Sequence, residues 1–342
     1  MFDPHNILVF DFGQLGDVVL SLPALQAIRK RFPTAHITVA VGKPSAEIVD
    51  LSGYANETLA VDRVGLRDGF KPLSIIRVFG LVKDVRRRKF DFVIDLHSLS
   101  ETNLLGFLSG APKRLYARRP GRSLDYLANF RPAPPVETDH RQRHLIDRYL
   151  DVLIPLEVKT AERFPKLKTR PGDDAAIERI LRKAKADAGV PLIGLFPGAG
   201  HSSRRWPLEH FTELADYLIR NDQVRVLVFL GPEEQPFVKD MRRQFPSSTV
   251  LLDQLTLPQL AAAATRLAAF VSNDTGPMHI ASAVGTPVVL LLDKRAPTSY
   301  LPQGDHHRVI YNKIISDISV DEVYVATRSI LASGRTSALF AR

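Results

Sequence analysis

Cysteine is absent from this chain of 342 residues, and long apolar runs are missing too. Without cysteine, neither a disulfide framework nor a thiolate metal site can form. No stretch approaches the ~20 apolar residues of a membrane-spanning helix. The sequence enters a strand almost at once, without the basic and apolar leader of a secretory signal. We therefore expect a cytoplasmic protein.

Acidic metal-binding patterns are also missing, because neither Asp-x-Asp nor a His, Asp and Glu cluster at ligand spacing occurs. We expect no metal and no required cofactor. The apolar content of 45% and the charged content of 24% are ordinary for a globular protein. The formal charge of +9 favours anionic partners, with nucleic acid, anionic lipid and phosphorylated glycolipid all admissible.

The chain is long enough for two domains of about 150 residues each. Short apolar strands alternate with helical segments, which is typical of parallel βαβ units. Residues 154–172 interrupt this pattern with three prolines. We predict two doubly wound, Rossmann-like α/β domains at 1–160 and 175–342, joined by a linker at 161–174. Their strands are expected at 6–12, 36–42, 57–61 and 91–96, and at 191–196, 224–230, 249–252, 268–272 and 287–292.

The first strand leads into a tight turn framed by Gly13 and Gly16, after which Asp17 opens a helix. Such a turn is similar to a nucleotide-binding turn. A dinucleotide site would require a third glycine and an acidic residue about 20 positions later, so hydride chemistry is only weakly indicated. Asp17 is equally suited to cap the helix.

The strand near residue 192 runs into two glycines, two serines and two arginines, which are Gly198, Gly200, Ser202, Ser203, Arg204 and Arg205. Backbone N–H groups between glycines can hold an anion, and guanidinium groups can bind phosphate with two hydrogen bonds. The pattern predicts a diphosphate site. The alternative is a solvated surface turn.

A third junction follows the strand near residue 268. Asn273, Asp274 and Thr275 are common helix caps, and Gly276 allows a ligand to approach the main chain. His279 lies four residues after Thr275, on the same helical face. The positive end of the helix dipole favours an anion here. The alternative is an ordinary capped helix, in which His279 is a surface residue with satisfied hydrogen bonds and no ligand.

Together these segments resemble glycosyltransferase family 9, the ADP-heptose:lipopolysaccharide heptosyltransferases. The family's Gly-Asp pair and Leu-Pro-Ala-Leu run match Gly16-Asp17 and residues 22–25. Its Pro-Gly-x-Gly and basic Trp-Pro motifs match residues 197–200 and 204–207, Gly-x-Glu-Glu matches 231–234, and Asn-Asp-Thr-Gly-Pro-x-His matches 273–279. Arg204 stands where the family commonly has lysine, which alters the geometry of a phosphate or sugar contact.

The resemblance implies a GT-B fold, in which two such domains face a cleft. It also implies an inverting transfer of heptose from ADP-heptose to a Kdo- or heptose-bearing acceptor of the lipopolysaccharide inner core. Asp17 would be the general base, and Arg204 would steady the leaving diphosphate. Glu233 would meet the ribose, with Glu234 as its competitor. The donor would be bound in the second domain by Gly198, Gly200, Ser202, Ser203, Arg204, Glu233, Asp274, Thr275, Gly276 and His279.

The acceptor would bind the first domain, near Gly16 and the basic residues Arg118, Arg119, Arg122 and His144. Exposed basic runs are more often solvated surface than sites. The resemblance implies phosphorylated Kdo-lipid A or heptosylated core as the acceptor, with peripheral contact at the inner membrane face and no nucleic acid partner.

Other functions remain open at this point. The same fold could use another nucleotide sugar or a protein acceptor. A non-catalytic module that binds nucleotide or glycolipid is also compatible with these motifs, as is a dehydrogenase that uses the N-terminal turn.

Overall fold

The computed structural model describes residues 2–62, 72–139, 141–158, 162–186 and 189–340, without the side chains of 72–78 and 334–340. The chain divides into two compact units. Unit 1 comprises residues 1–166 and 297–301, and unit 2 comprises residues 167–296 and 302–342. The division after Lys166 falls within the span predicted as linker, and a helix already begins at Pro171.

Unit 1 is built on a parallel sheet in which the strand order is β3-β2-β1-β4-β5. Its strands are β1 Asn6–Asp11, β2 His36–Gly42, β3 Glu57–Val61, β4 Phe92–Asp95 and β5 Lys113–Tyr116. Its helices are α1 Leu15–Arg31, α2 Ala46–Ser52, α3 Pro72–Arg87, α4 Ser100–Leu108 and α5 Leu145–Val152.

Apolar residues on both faces place β1 at the centre of this sheet. Ile7 pairs in register with Ile37 of β2 and with Phe92 of β4. All three side chains are buried, as expected for a parallel strand covered on both faces. Because the chain leaves β1 toward β2 on one side and β4 lies on the other, ligands are expected beyond the carboxyl end of β1.

Unit 2 is built on a second parallel sheet, in which the strand order is β11-β10-β9-β6-β7-β8. Its strands are β6 Leu192–Phe196, β7 Arg225–Phe229, β8 Val250–Leu252, β9 Ala269–Asn273, β10 Val288–Asp293 and β11 Arg308–Asn312. Its helices are α6 Pro171–Lys183, α7 Leu208–Asp222, α8 Val238–Gln244, α9 Leu257–Ala264, α10 Gly276–Ala283 and α11 Val320–Phe340. Trp206 is buried in the core of this unit.

The prediction of an α/β protein with parallel sheets is confirmed, and each predicted strand overlaps an observed one. Two edge strands, β5 and β11, were not predicted. β5 has the sequence Lys-Arg-Leu-Tyr, and its two basic residues are typical of a surface segment. β11 is mostly half-buried. Strands at an edge need little apolar patterning because one side faces solvent. Among the described residues, no helix has the length and apolar character needed to cross a membrane.

Two helical glycines of unit 1 provide a matched test of this packing. A Cβ at Gly106 of α4 would collide with the hydroxyl of Tyr116, whereas a Cβ at Gly80 of α3 meets open space. We expect Gly106→Ala to lower the free energy of unfolding by about 1–3 kcal/mol through overpacking. Gly80→Ala should raise it by up to about 1 kcal/mol, since alanine favours helix. Urea titration of both variants would measure this, and equal responses would contradict the packing described for Tyr116.

Candidate active site

The carboxyl end of the unit 1 sheet carries two fully buried acids. Asp11 ends β1 and Asp95 ends β4, and neither side chain is exposed to solvent. Parallel pairing aligns these strand ends at one edge of the sheet. Titratable groups therefore collect beneath the turn that carries the predicted base.

Asp17 lies in the first turn of α1, next to the half-buried Gly16. Its Oδ2 accepts a hydrogen bond of 2.8 Å from the backbone N–H of Gln14, so the expected helix cap is present. A Cβ at Gly13 would collide with Asp17 Cβ and would lie 3.1 Å from Asp11 Oδ1. Glycine is thus required at position 13, because the two acidic side chains flank it closely. The role of Asp17 as a base stays a prediction.

Burial dominates the electrostatics of the two acids. It raises the pKa of Asp11 to about 6, and the nearby charge of Asp17 acts in the same direction. Burial likewise raises the pKa of Asp95 to about 7. Hydrogen bonds and the Arg119 guanidinium oppose both shifts. Each acid can therefore hold a proton in mildly acidic solution.

His97 stands between the acids and α5. Its Nδ1 lies 3.8 Å from Asp11 Oδ1 and 3.2 Å from the hydroxyl of Tyr149. The next residue, Ser98, has a left-handed backbone with φ of 50°, which is costly for a residue with a side chain. Two hydrogen bonds hold it there, from its N–H to Asp95 (2.6 Å) and from its hydroxyl to the Ala117 carbonyl (2.7 Å). The buried Asp95 thus fixes the turn that presents His97.

Glu137 joins two arginines in a buried ion-pair network. Arg119 Nε lies 3.0 Å from one oxygen of its carboxylate, and Arg148 Nη2 lies 2.7 Å from the other. Arg119 is 6% exposed and Arg148 is 8% exposed. Arg119 is therefore not part of an exposed basic cluster, and its role in acceptor binding stays a prediction. Its partner Glu137 lies 18 residues later in the chain, and this spacing does not indicate an ion pair.

The remaining predicted acceptor residues differ in their surroundings. Arg118 is half-buried and pairs with Asp125 at 3.2 Å. Arg122 is exposed and forms no ion pair with the carboxylates that the structure describes. Both remain candidates for contact with an anionic acceptor.

His144 does not lie free for an acceptor. It is the N-cap of α5, where its Nδ1 accepts a hydrogen bond from the Ile146 N–H at 3.2 Å, and its Nε2 donates to the Leu301 carbonyl at 2.9 Å. Burial lowers the pKa of His144, which favours this neutral tautomer. Since both ring nitrogens are used within unit 1, we no longer assign His144 to acceptor binding.

In unit 2, Asn273 holds both ends of the glycine-containing loop. Its Oδ1 accepts from the Trp206 N–H at 3.0 Å, and its Nδ2 donates to the carbonyls of Pro197 (2.9 Å) and Gly198 (3.2 Å). Asn273 is the buried last residue of β9, so its interpretation as a helix cap is wrong. Thr275 occupies the N-cap position of α10. Its backbone is extended there, and its side chain forms no capping hydrogen bond.

The two glutamates after β7 have different environments. Glu234 is buried, and its Oε2 accepts from the Gly231 N–H at 2.9 Å. A Cβ at Gly198 would lie 2.7 Å from this carboxylate, so Gly198 makes room for Glu234. Glu233 is 61% exposed and pairs with Arg205 at 2.8 Å. Of the two, Glu233 has the more accessible oxygens for a ribose.

The exposed edge of unit 2 carries the other predicted donor residues. Arg204 Nη1 lies 3.3 Å from Asp274 Oδ2. Burial raises the pKa of Asp274, and the charge of Arg204 opposes this shift. Ser202 and Ser203 lie in an exposed single turn with Arg204, and Gly200 borders open space. Thr275 and Gly276 are half-buried at the start of α10.

His279 is the exception, since it is only 5% exposed within α10. It does not lie at an open mouth as the sequence suggested. Its role in donor binding, like those of the other donor residues, stays a prediction.

A family model, glycosyltransferase family 9 (heptosyltransferase), matches residues 78–323. The chain belongs to this family. A related protein, lipopolysaccharide heptosyltransferase 3 of Escherichia coli, is 24% identical over 283 residues, which cover 81% of this chain and 80% of the relative. This family 9 member is therefore a glycosyltransferase.

Solved structures agree with that assignment. A family 9 glycosyl transferase from Veillonella parvula superposes with a TM-score of 0.83 at 26% identity, covering 97% of this transferase and 98% of the other chain. The ADP-heptose LPS heptosyltransferase II of E. coli gives a TM-score of 0.78 at 21% identity, covering 96% and 99%. The GT-B fold class is thereby confirmed.

Sequence reasoning missed several polar residues of unit 1, namely Asp11, Asp95, His97, Glu137 and Tyr149. One signal was available, because Asp11 and Asp95 each end an apolar strand. The ion-pair network had no such signal, since its members come from separate loops and a helix. Within the described part of the chain, no group of three or more His, Asp or Glu side chains is arranged to hold a metal ion.

The hydrogen bonds of Asn273 predict a large effect of its removal. Asn273→Ala leaves the Trp206 N–H and two loop carbonyls without partners, and each unsatisfied buried group costs about 1–3 kcal/mol. We expect the free energy of unfolding of unit 2 to fall by about 2–4 kcal/mol, allowing for relaxation of the loop. Ser203→Ala in the same loop is the control and should change little. Thermal unfolding measures both, and a mild effect at Asn273 would argue against the clamp.

Proposed function

We propose that this transferase moves a heptose from ADP-heptose to a Kdo- or heptose-bearing acceptor of the lipopolysaccharide inner core, with inversion at the anomeric carbon. The relatives support this proposal because their names include ADP-heptose and lipopolysaccharide. The observation that carries it is the position of Asp17, a half-buried carboxylate that occupies the family's Gly-Asp pair at the carboxyl edge of the sheet.

In the proposed reaction, Asp17 takes the proton of the acceptor hydroxyl. The hydroxyl oxygen forms a bond to the anomeric carbon of the heptose, while the bond from that carbon to the phosphate oxygen breaks. ADP leaves with the electron pair, and the proton remains on Asp17 until it passes to water. A positioned general base contributes about 10²–10⁴-fold to such a step.

The leaving diphosphate gains negative charge, which Arg204 and the N–H groups at the start of α10 can stabilise. Arg204 can exchange its contact with Asp274 for a phosphate, because the arginine side chain is 54% exposed. Ser202, Ser203 and the open surface at Gly200 would complete the phosphate contacts, and Glu233 would accept hydrogen bonds from the ribose.

The acceptor is assigned to Arg118 and Arg122 of unit 1, with Gly16 allowing approach to the turn that carries Asp17. Phosphate and Kdo carboxylate groups would pair with these guanidinium groups. We further propose that the enzyme acts from the cytoplasm, in peripheral contact with the inner membrane face where its lipid-linked acceptor lies.

Product analysis tests the proposal directly. The transferase is incubated with ADP-heptose and a panel of truncated core acceptors, and the stereochemistry of the product is determined. Competition for ADP binding by UDP and GDP compares the nucleotides. A preference for UDP or GDP, with turnover of the matching nucleotide sugar, would show that ADP-heptose is not the donor. Binding of ADP without turnover of any acceptor would favour a non-catalytic module.

Asp17→Asn should remove the base while keeping the helix cap, since the amide oxygen can still accept from the Gln14 N–H. We expect kcat to fall by about 10²–10⁴-fold. ADP affinity should not change, because the nucleotide is assigned to unit 2. The control is Glu47→Gln, which neutralises an exposed acid in the first turn of α2. Steady-state kinetics measures kcat, and calorimetry measures ADP affinity. A fully active Asp17→Asn enzyme would exclude Asp17 as the general base.

The ion pair between Arg204 and Asp274 predicts opposite effects of its two members on ADP. Arg204→Ala should weaken ADP binding by about ten- to a hundredfold, as for the loss of a charged hydrogen bond. Asp274→Asn should strengthen it, because the diphosphate no longer competes with a carboxylate for Arg204. Arg220→Ala, which breaks an exposed pair with Asp216, is the control. Calorimetry with ADP measures all three, and equal weakening by both site variants would contradict the competition.

A further inference from the structure

Asp11 is a buried acid without a role in the proposed reaction. It has no exposed surface, and its Oδ2 forms no hydrogen bond with any residue that the structure describes. Its Oδ1 accepts from the Gly13 N–H at 3.1 Å. Burying an acid with one oxygen unsatisfied is unfavourable, which calls for an explanation of its presence.

The geometry places Asp11 next to the proposed base. Asp11 Oδ1 and Asp17 Oδ2 lie 3.1 Å and 3.0 Å from the point where a Cβ of residue 13 would sit. Because residue 13 is glycine, no side chain of that residue stands between the two carboxylates. Like charges near one another raise each other's proton affinity, and the burial of Asp11 strengthens this effect.

The other groups that face Asp11 come from each neighbouring element. The Ser21 hydroxyl lies on α1, and His97 follows β4. The Arg119 guanidinium follows β5 and lowers the proton affinity of Asp11, while Tyr149 approaches from α5. Arg119 is already shared with Glu137, so it does not fully compensate a second negative charge.

We propose that Asp11 is a positioning residue of the transfer reaction, whose negative charge strengthens Asp17 as the general base. The inference rests on the proposed role of Asp17. No new bond is made at Asp11, and the proton from the acceptor still ends on Asp17. His97 Nδ1 lies 3.8 Å from Asp11 Oδ1, so a positive charge on the imidazole favours the ionised carboxylate.

The proposal predicts a step in the pH profile. Burial raises the pKa of Asp11 to about 6, so Asp11 is neutral below this pH and charged above it. Asp17 should become the stronger base as pH rises through this region, and kcat should rise with it. In Asp11→Asn the step at about pH 6 should vanish, and kcat at pH 8 should fall by about three- to tenfold, as expected for a weaker general base.

Stability separates this role from a structural one. In the fold, Asp11 binds its proton more tightly than in the unfolded chain, so the wild type loses stability as pH rises from about 4 to about 6. Asp11→Asn lacks this loss and should melt at a higher temperature than the wild type above pH 6, with the gap closing toward pH 4. A variant that is slower yet more stable supports the proposal. A variant that is less stable at every pH overturns it.

Two further variants complete the test. Asp84→Asn removes a half-buried acid of α3 that pairs with Arg88, and it should leave the pH step in place. If Asp11→Asn does not fold, His97→Gln serves instead, and loss of the imidazole should move the step to higher pH. An unmoved step in His97→Gln, or a retained step in Asp11→Asn, overturns the proposal.

A measurement without substrate keeps this inference distinct from the proposed function. Carbon-13 NMR of the aspartate carboxyl groups, assigned with Asp17→Asn, follows the titration of Asp17 in the wild type and in Asp11→Asn. The proton affinity of Asp17 should be lower in the variant, and equal affinities overturn the inference. Failure of the wild type to turn over ADP-heptose would instead refute the proposed function. The carboxyl titration would still test whether Asp11 raises the proton affinity of Asp17.

Discussion

Burial of Asp11 and Asp95 at the carboxyl ends of neighbouring strands constrains the loops of unit 1. Asp95 receives hydrogen bonds from the Ser98 N–H and from Asn103, and the Asn103 side chain also accepts from the Leu124 N–H. One buried acid therefore connects the turn after β4 with the segment after β5. Since an unpaired buried carboxylate is strongly disfavoured, these loops have few alternative conformations. The position of His97 follows from this network.

Unit 2 organises its corresponding strand edge with a neutral group. Asn273 ends β9 and supplies both a donor and acceptor to the loop between Pro197 and Trp206. An amide satisfies backbone groups without introducing a buried charge. The charged residues of this loop thus remain at the surface. In unit 1, by contrast, titratable groups lie beneath the surface, where their proton affinities are shifted. The first arrangement suits the exchange of an anionic ligand, and the second suits proton transfer.

The sequence predicted the fold class and nine of the strands, because buried parallel strands are apolar along their whole length. It also identified the turn at Asp17 and the loop at Arg204, since glycine and charged residues directly follow strands. Arg119 and His144 could not be interpreted correctly, because their environments depend on distant partners. Glu137 buries Arg119 in an ion pair, and the Leu301 carbonyl, 157 residues away, engages His144. Residue type and local spacing do not encode such contacts.

Burial also explains why similar arginine–carboxylate pairs take different roles. The pair of Arg204 with Asp274 is half exposed, and such pairs contribute only about 0–1 kcal/mol. A diphosphate can therefore displace Asp274 at little cost. The pair of Arg119 with Glu137 lies in the interior, where removal of one partner leaves an uncompensated charge and costs about 3–5 kcal/mol. Exchange with a ligand is unfavourable there. The same chemical pair is thus a replaceable contact at the edge of unit 2 and a fixed support for the acids of unit 1.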